Sequence, residues 1–270
     1  MNCSFCHGHS REYRSMSIDE FSLILKKLKG VTEYIYFHLM GEPLTHDELP
    51  LFLSMAKNEG FKPMITTNGT LLKQVGQSII EQKPHKVNIS VHSFEDGSEE
   101  QYNEYINQIA SFANQASQNG IITVLRLWNN GFDGGLNNKT LESLKELLPG
   151  EWAENSKGMR IKEKLFLEWG DRFEWPDINK ETKGDEYFCY GLRDHFGILC
   201  DGTVVPCCLD SDGVINLGNV YTDDLSTILE SERAKRIVEY FSCRKASEEL
   251  CKKCGYAQRF IKNKRCNSLN

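Results

Sequence analysis

Two cysteines at the start of the chain, Cys3 and Cys6, stand in a Cys-x2-Cys spacing. That spacing puts two thiols on one turn, close enough to share a metal centre or to act as a redox dithiol. Of ten cysteines, two lie in the first six residues, eight lie from Cys189 onward and none lies between. Cysteines used as small apolar side chains would be scattered through a core, so this segregation marks them as ligands. Between the two groups, polar residues stand where apolar runs stop. Gly41, Glu42 and Pro43 follow Tyr34–Met40; Thr67, Asn68 and Gly69 follow Lys62–Thr66; Ser90 and Ser93 close the run Lys86–His92. A carboxylate in the place of Glu42 could accept hydrogen bonds from an ammonium group, or simply begin a helix beside Pro43. Arg126, flanked by Leu125 and Leu127, needs an anionic partner, either a ligand carboxylate or an internal salt bridge.

The elements that must position these residues alternate. Ile18, Phe21, Ile24, Leu25 and Leu28 recur at helical spacing, with Ser17 and Glu20 as a capping box and Gly30 as a stop. A strand over Tyr34–Leu39, a helix near Asp47–Gly60 and a strand over 62–66 come next. Helix 71–82, strand 86–92, helix 99–118, strand Ile121–Trp128, helix 140–148 and a last strand Met159–Glu168 follow. Strands alternating with helices predict parallel βαβ units, here with five strands. From Asp171 to Lys183 the pattern breaks into a charged, aromatic linker. Beyond it, Asp201-Gly202-Thr203 has the chemistry of a tight hairpin turn, and Thr222–Phe241 shows one apolar helical face.

In this order the motifs resemble those of the radical SAM enzymes. In that family a Cys-x3-Cys-x2-Cys loop holds a [4Fe–4S] cluster, and Gly-Gly-Glu-Pro binds the amino group of S-adenosylmethionine (SAM). Cys3 and Cys6 match the last two cysteines, and Met40-Gly41-Glu42-Pro43 matches the second motif with Met in first place. The family's first cysteine falls four positions before Cys3, ahead of the first residue. His7 or His9 could substitute as a ligand, or be solvated loop residues. Three thiolates leave one iron open, where SAM chelates; one electron then releases a 5′-deoxyadenosyl radical that abstracts hydrogen from substrate. The resemblance implies that Thr67, Asn68, Ser90 and Ser93 line the SAM ribose and carboxylate, with Arg126 as a further carboxylate partner. It also implies an α/β fold, a partial (β/α)6 barrel over residues 1–180, lacking the first of six strands.

The C-terminal cysteines resemble the SPASM or shorter twitch extension of those enzymes, over 181–270. Cys189, then Gly202 to Cys207, Leu217-Gly218-Asn219-Val220 and Cys251-Lys-Lys-Cys254 carry the likeness. It implies an auxiliary [4Fe–4S] cluster on Cys189, Cys207, Cys251 and Cys254, with Cys243 and Cys266 as candidate ligands of a second. By chemistry alone, four such thiolates could hold either zinc or a cluster. Cys200 reads as core.

A net charge of -6 gives no broad electrostatic footprint for nucleic acid. No run approaches the ~18 apolar residues of a membrane span, and no export signal is visible, so a cytoplasmic protein with metal-bound rather than disulfide-bonded cysteines is expected. The implied partners are a peptide or small-molecule substrate and an electron donor such as ferredoxin or flavodoxin. The alternative from another class is a non-catalytic iron–sulfur or zinc protein that binds a partner. A third reading takes Met1 as internal to a longer chain, which predicts an exposed parallel strand edge.

Overall fold

The structure is a computed structural model that describes residues 4–260; Cys3 and Cys266 lie outside the described residues. It divides into two compact units, the first made of the residues through Cys6 and Ser17–Arg172, the second of His7–Met16 and the chain from Phe173.

The first unit opens with α1 (Ile18–Leu28). Ser17 accepts from the Glu20 amide, and the Glu20 side chain accepts from the Ser17 amide, which closes the capping box. Asp19 and Glu20 in the first turn and Lys26 and Lys27 in the last suit the helix dipole. Then come β1 (Tyr34–Phe37), α2 (Leu49–Asn58), β2 (Lys62–Thr67), α3 (Leu72–Gln82), β3 (Lys86–Ser90), α4 (Glu99–Gln118), β4 (Ile122–Asn130) and α5 (Leu136–Leu147). The strands β5 (Ala153–Asn155), β6 (Gly158–Lys162) and β7 (Leu165–Asp171) complete one sheet in the order β1-β2-β3-β4-β7-β6-β5. The pairs β1·β2, β2·β3, β3·β4 and β4·β7 are parallel, which accounts for five parallel strands with β1 at the edge. The last predicted strand, Met159–Glu168, is instead an antiparallel hairpin of β6 and β7. Lys164 sits at φ 60 and turns the chain there, a break that apolar periodicity does not register.

Each strand presents alternate residues to opposite faces. Ile65, Val87, Ile89, Leu125 and Leu167 pack with Leu53, Ile109 and Leu144 of the helices into the main core. The opposite face therefore carries Thr66, Lys86, Asn88, Ser90, Arg126 and Glu168.

The second unit holds the short hairpin β8 (Gly197–Ile198) and β9 (Val204–Val205), then α6 (Leu225–Leu229), α7 (Glu232–Ser242) and α8 (Glu249–Lys252). The turn expected at Asp201–Thr203 is present: Gly202 sits at φ 85 and Asp201 Oδ1 accepts from the Thr203 amide at 3.0 Å. The single helix read over Thr222–Phe241 is broken, because Ser231 ends α6 and caps α7 by accepting from the Ala234 amide. Tyr187, Ile237, Phe241 and Leu250 form a separate core. The segment after Cys6 is fastened to this unit: Asp212 accepts from the Ser10 amide at 2.6 Å and Arg11 Nε donates to the Ser211 carbonyl at 2.6 Å. Among the described residues no helix is long and apolar enough to cross a membrane.

Candidate functional site

The polar residues singled out from sequence stand at the C-terminal ends of the parallel strands, where α/β barrels build their sites. After β1 the backbone is strained: Leu39, not a glycine, has φ 142, and Gly41 follows at φ 107. Pro43 starts a single 3-10 turn, Pro43–Thr45. Glu42 bridges two strand ends with its carboxylate. Oε1 accepts from the Leu44 amide at 3.0 Å and the Thr67 hydroxyl at 2.7 Å, and Oε2 accepts from the Asn68 amide at 2.7 Å. Of about four acceptor positions on a carboxylate, three are thus used within the protein. Thr67 is buried, and its oxygen also accepts from the Gly69 amide at 3.0 Å. Asn68 Oδ1 accepts from the Thr70 amide at 2.9 Å, while the Asn68 carbonyl accepts from the Tyr105 hydroxyl at 2.7 Å. Nothing in the sequence marks Tyr105, on α4, since a buried tyrosine on a helix face reads as core.

The loop carrying Cys6 lies across the same ends. The Cys6 thiol is exposed and stands 3.8 Å from Met40 Sδ. Ser4 donates its amide and hydroxyl to the Glu95 carboxylate, and Phe5 packs on the His92 ring at 5.3 Å. His92 Nδ1 lies 3.0 Å from the Arg126 carbonyl, and burial pushes its pKa down. Ser93 is buried beside it in the same short turn. Ser90 is paired in register with Arg126, and Arg126 with Glu168, so three polar residues form one row across β3, β4 and β7. The Arg126 guanidinium lies 4.5 Å from the Trp128 ring centroid. A cavity of about 300 Å³ lined by Gly120, Lys162 and Lys164 opens at the opposite end of β4 and holds none of these residues.

In the second unit Cys189, Cys251 and Cys254 pack on the core around Tyr187. The Tyr187 hydroxyl donates to the Cys251 carbonyl. Burial first, then the nearby thiols of Cys251, Cys254, Cys189 and Cys207, push the tyrosine pKa up. The thiols are raised as well: burial leads at Cys207 and Cys251, each aggravated by neighbouring cysteines. Cys208 is held at about 11 by burial, with Cys254 and Cys189 adding to it. Backbone N–H groups oppose this, those of Gly191 and Tyr190 at Cys189, of Ala257 and Tyr256 at Cys254 and of Leu209 at Cys207. Thiols that receive backbone N–H groups are a donor set whose chemistry suits an iron–sulfur cluster, whose potential such hydrogen bonds tune. Among the described residues no three His, Cys, Asp or Glu side chains are placed so that they could hold a metal ion.

The thiols of Cys189, Cys207, Cys251 and Cys254 all lie near Tyr187, and those of Cys189 and Cys254 also influence Cys208. The structure leaves Cys243 exposed at the C-cap of α7 and Cys200 in the hairpin. All eight described cysteines are free thiols. His7 and His9 belong to the segment carried by the second unit, where His9 packs on Tyr13.

Residues 1–129 match the family model of the Radical SAM superfamily, and residues 189–255 that of SPASM, an iron–sulfur cluster-binding domain. The chain thus carries a radical SAM domain and a C-terminal SPASM domain, and the cofactors of such domains are [4Fe–4S] clusters and SAM. It is 31% identical over 99 residues to a probable GTP 3′,8-cyclase of Methanococcus maripaludis, an alignment covering 35% of this chain and 33% of that relative. The match thus spans about a third of the curated relative's length. Over 93% of this chain and 86% of the other, the fold resembles that of BtrN in complex with AdoMet and 2-DOIA, with TM-score 0.60 and 19% identity. Over 94% and 85% it resembles anSMEcpe with bound AdoMet and a peptide, with TM-score 0.61 and 16% identity. At such identities the likeness is one of fold.

Proposed function

We propose that this protein is a radical SAM enzyme that abstracts hydrogen from a small polar substrate, with the SAM chemistry in residues 1–180 and an auxiliary cluster in 181–270. The observation that carries this is the meeting of the Cys6 thiol with Met40 and the Glu42 network at the strand ends. When bound, a [4Fe–4S] cluster and SAM supply one-electron cleavage of a sulfonium and hydrogen-atom abstraction. Cys3 and Cys6 would hold the cluster at the N-terminal loop. Gly41, Glu42 and Pro43 set the edge that receives the SAM amino group: Glu42 keeps one acceptor position for an ammonium and uses the others to hold β1 and β2 in place. Thr67, Asn68, Ser90 and Ser93 line the same end, and Arg126 is a partner for the SAM carboxylate. Cys189, Cys207, Cys251 and Cys254 would hold the auxiliary cluster, and the N–H groups at the sulfurs of Cys189, Cys207 and Cys254 favour the thiolate state that iron requires. A low-potential donor such as ferredoxin or flavodoxin supplies the electron.

The polar inner face of the sheet favours a small molecule as substrate, in keeping with curated relatives named GTP 3′,8-cyclase and nucleotide dehydratase. A peptide substrate rests on analogy of fold alone. The test is 5′-deoxyadenosine formation from SAM and dithionite by anaerobically reconstituted protein. Product is expected, with about tenfold less from Glu42→Ala, the equivalent of one charge-assisted hydrogen bond. Product no greater than that of Glu42→Ala would overturn the reading.

A further inference from the structure

The face of the sheet turned away from the helices carries more charge than SAM binding uses. On β3 it presents Lys86, Asn88 and Ser90 in succession, and on β7 Glu168, in the row of Ser90 and Arg126. Lys86 and Glu168 are both half-buried. Among the described residues neither side chain forms a hydrogen bond or an ion pair. They are near enough to influence each other: burial pushes the Lys86 pKa down and the Glu168 charge partly restores it. Asn88 is 2% exposed. Its Nδ2 donates to the Ile65 carbonyl and to Thr66 Oγ1, both at 3.3 Å. Because the Ile65 carbonyl can only accept, the orientation of this amide is determined, and Asn88 Oδ1 is left buried with no donor.

A charge or acceptor withheld from water without a partner is destabilising, and native folds retain few of them without a reason. Here Asn88 Oδ1 is such an acceptor, and the half-buried Lys86 and Glu168 make it a group of three on one face of two strands. One is a cation; the other two accept. We propose that Lys86, Asn88 and Glu168 form a substrate subsite in which Lys86 takes an oxyanion while Asn88 Oδ1 and Glu168 accept from an amine or hydroxyl of the same molecule. The substrate is then a small anion bearing N–H or O–H donors. An apolar side chain placed there would leave all three groups unpaired, so it is rejected more strongly than any contact it could make would compensate. The inference rests on the reading that substrate occupies this face, and it is tested by binding, without radical chemistry.

The measurement is the melting temperature of reconstituted protein and of its Lys86→Met and Glu168→Gln variants. A recognition subsite held ready at a cost in stability gives variants that melt at the wild-type temperature or up to roughly 4 °C above it. A structural charge pair gives variants that melt lower, which would overturn the proposal. In parallel, sodium phosphate and sodium L-aspartate are added at fixed ionic strength against chloride. At least one of them raises the wild-type melting temperature by roughly 2 °C, with less than half that rise in either variant. A rise with phosphate assigns a phosphorylated substrate, and one with aspartate a carboxylate. No rise with either probe, or the same rise in both variants, would also overturn it. Failure here alongside intact 5′-deoxyadenosine formation removes the substrate class and leaves the enzyme; binding without that product leaves the subsite and removes the chemistry.

Discussion

Glu42 and Tyr187 do comparable jobs in the two units, each joining backbone segments that sequence keeps far apart. The Thr67 hydroxyl stands between the Glu42 carboxylate and the buried Gly69 amide. Thr67→Val keeps the shape but leaves the Gly69 amide unpartnered and takes one of three donors from Glu42, so it should lower stability by about 1–3 kcal/mol and weaken SAM binding; calorimetric titration with SAM and thermal melts check both. Tyr187 is 1% exposed and donates to the carbonyl of Cys251. Tyr187→Phe removes one donor from that carbonyl, which keeps the Cys254 amide at 3.0 Å, so the cost is that of one hydrogen bond, about 0.5–1.5 kcal/mol. It should also speed loss of iron to a chelator, followed by the decay of cluster absorbance; an unchanged rate would mean the hydroxyl does not hold Cys251 in place.

At the scale of elements, the clearest dependence is on single turns. Ser17→Ala removes one side of the capping box of α1, which should cost about 1 kcal/mol and lower the melting temperature by roughly 2–4 °C. Gly202 is more constrained: at φ 85, a Cβ there would stand 2.4 Å from Asn219 Oδ1 and 2.5 Å from the Tyr221 ring. Gly202→Ala must therefore disturb the hairpin that leads from Cys200 to Cys207. Iron and sulfide analysis after reconstitution should show the deficit that Cys254→Ser also causes; full iron content would show that the turn tolerates the change.

For the whole molecule, acidity is the exposed weakness. Burial is the first cause of the lowered pKa of His92 in the first unit and of His195 in the second. Both are kept neutral in the fold, whereas in the unfolded chain a histidine takes a proton near pH 6.5. Their contribution to stability is thus complete above about pH 6.5 and is lost as the pH falls towards the depressed folded values. Melting temperatures should fall between pH 7 and pH 5.5, and His92→Gln should flatten that dependence for the first unit. A melting temperature independent of pH in this range would show the two rings to be hydrated.

What sequence alone determined are features settled within a few residues. The Ser17–Glu20 cap, the Asp201–Thr203 turn and the alternation of strands and helices depend on neighbours in the chain, and all three are present. The spacing of the cysteines likewise pointed to the SPASM-type extension that the family model matches. Local patterns were also misleading where backbone conformation intervened. Lys164 at φ 60 splits one apolar run into β6 and β7, and the Ser231 cap splits another into α6 and α7. Tertiary structure decided the rest because it alone sets which groups satisfy one another. It spends three acceptor positions of Glu42 on β1 and β2, brings Cys208 under the influence of Cys189 and Cys254, and fastens residues 10–11 to 211–212. It also aligns Glu168 with Ser90 and Arg126 through strand register, a juxtaposition no spacing in one dimension encodes.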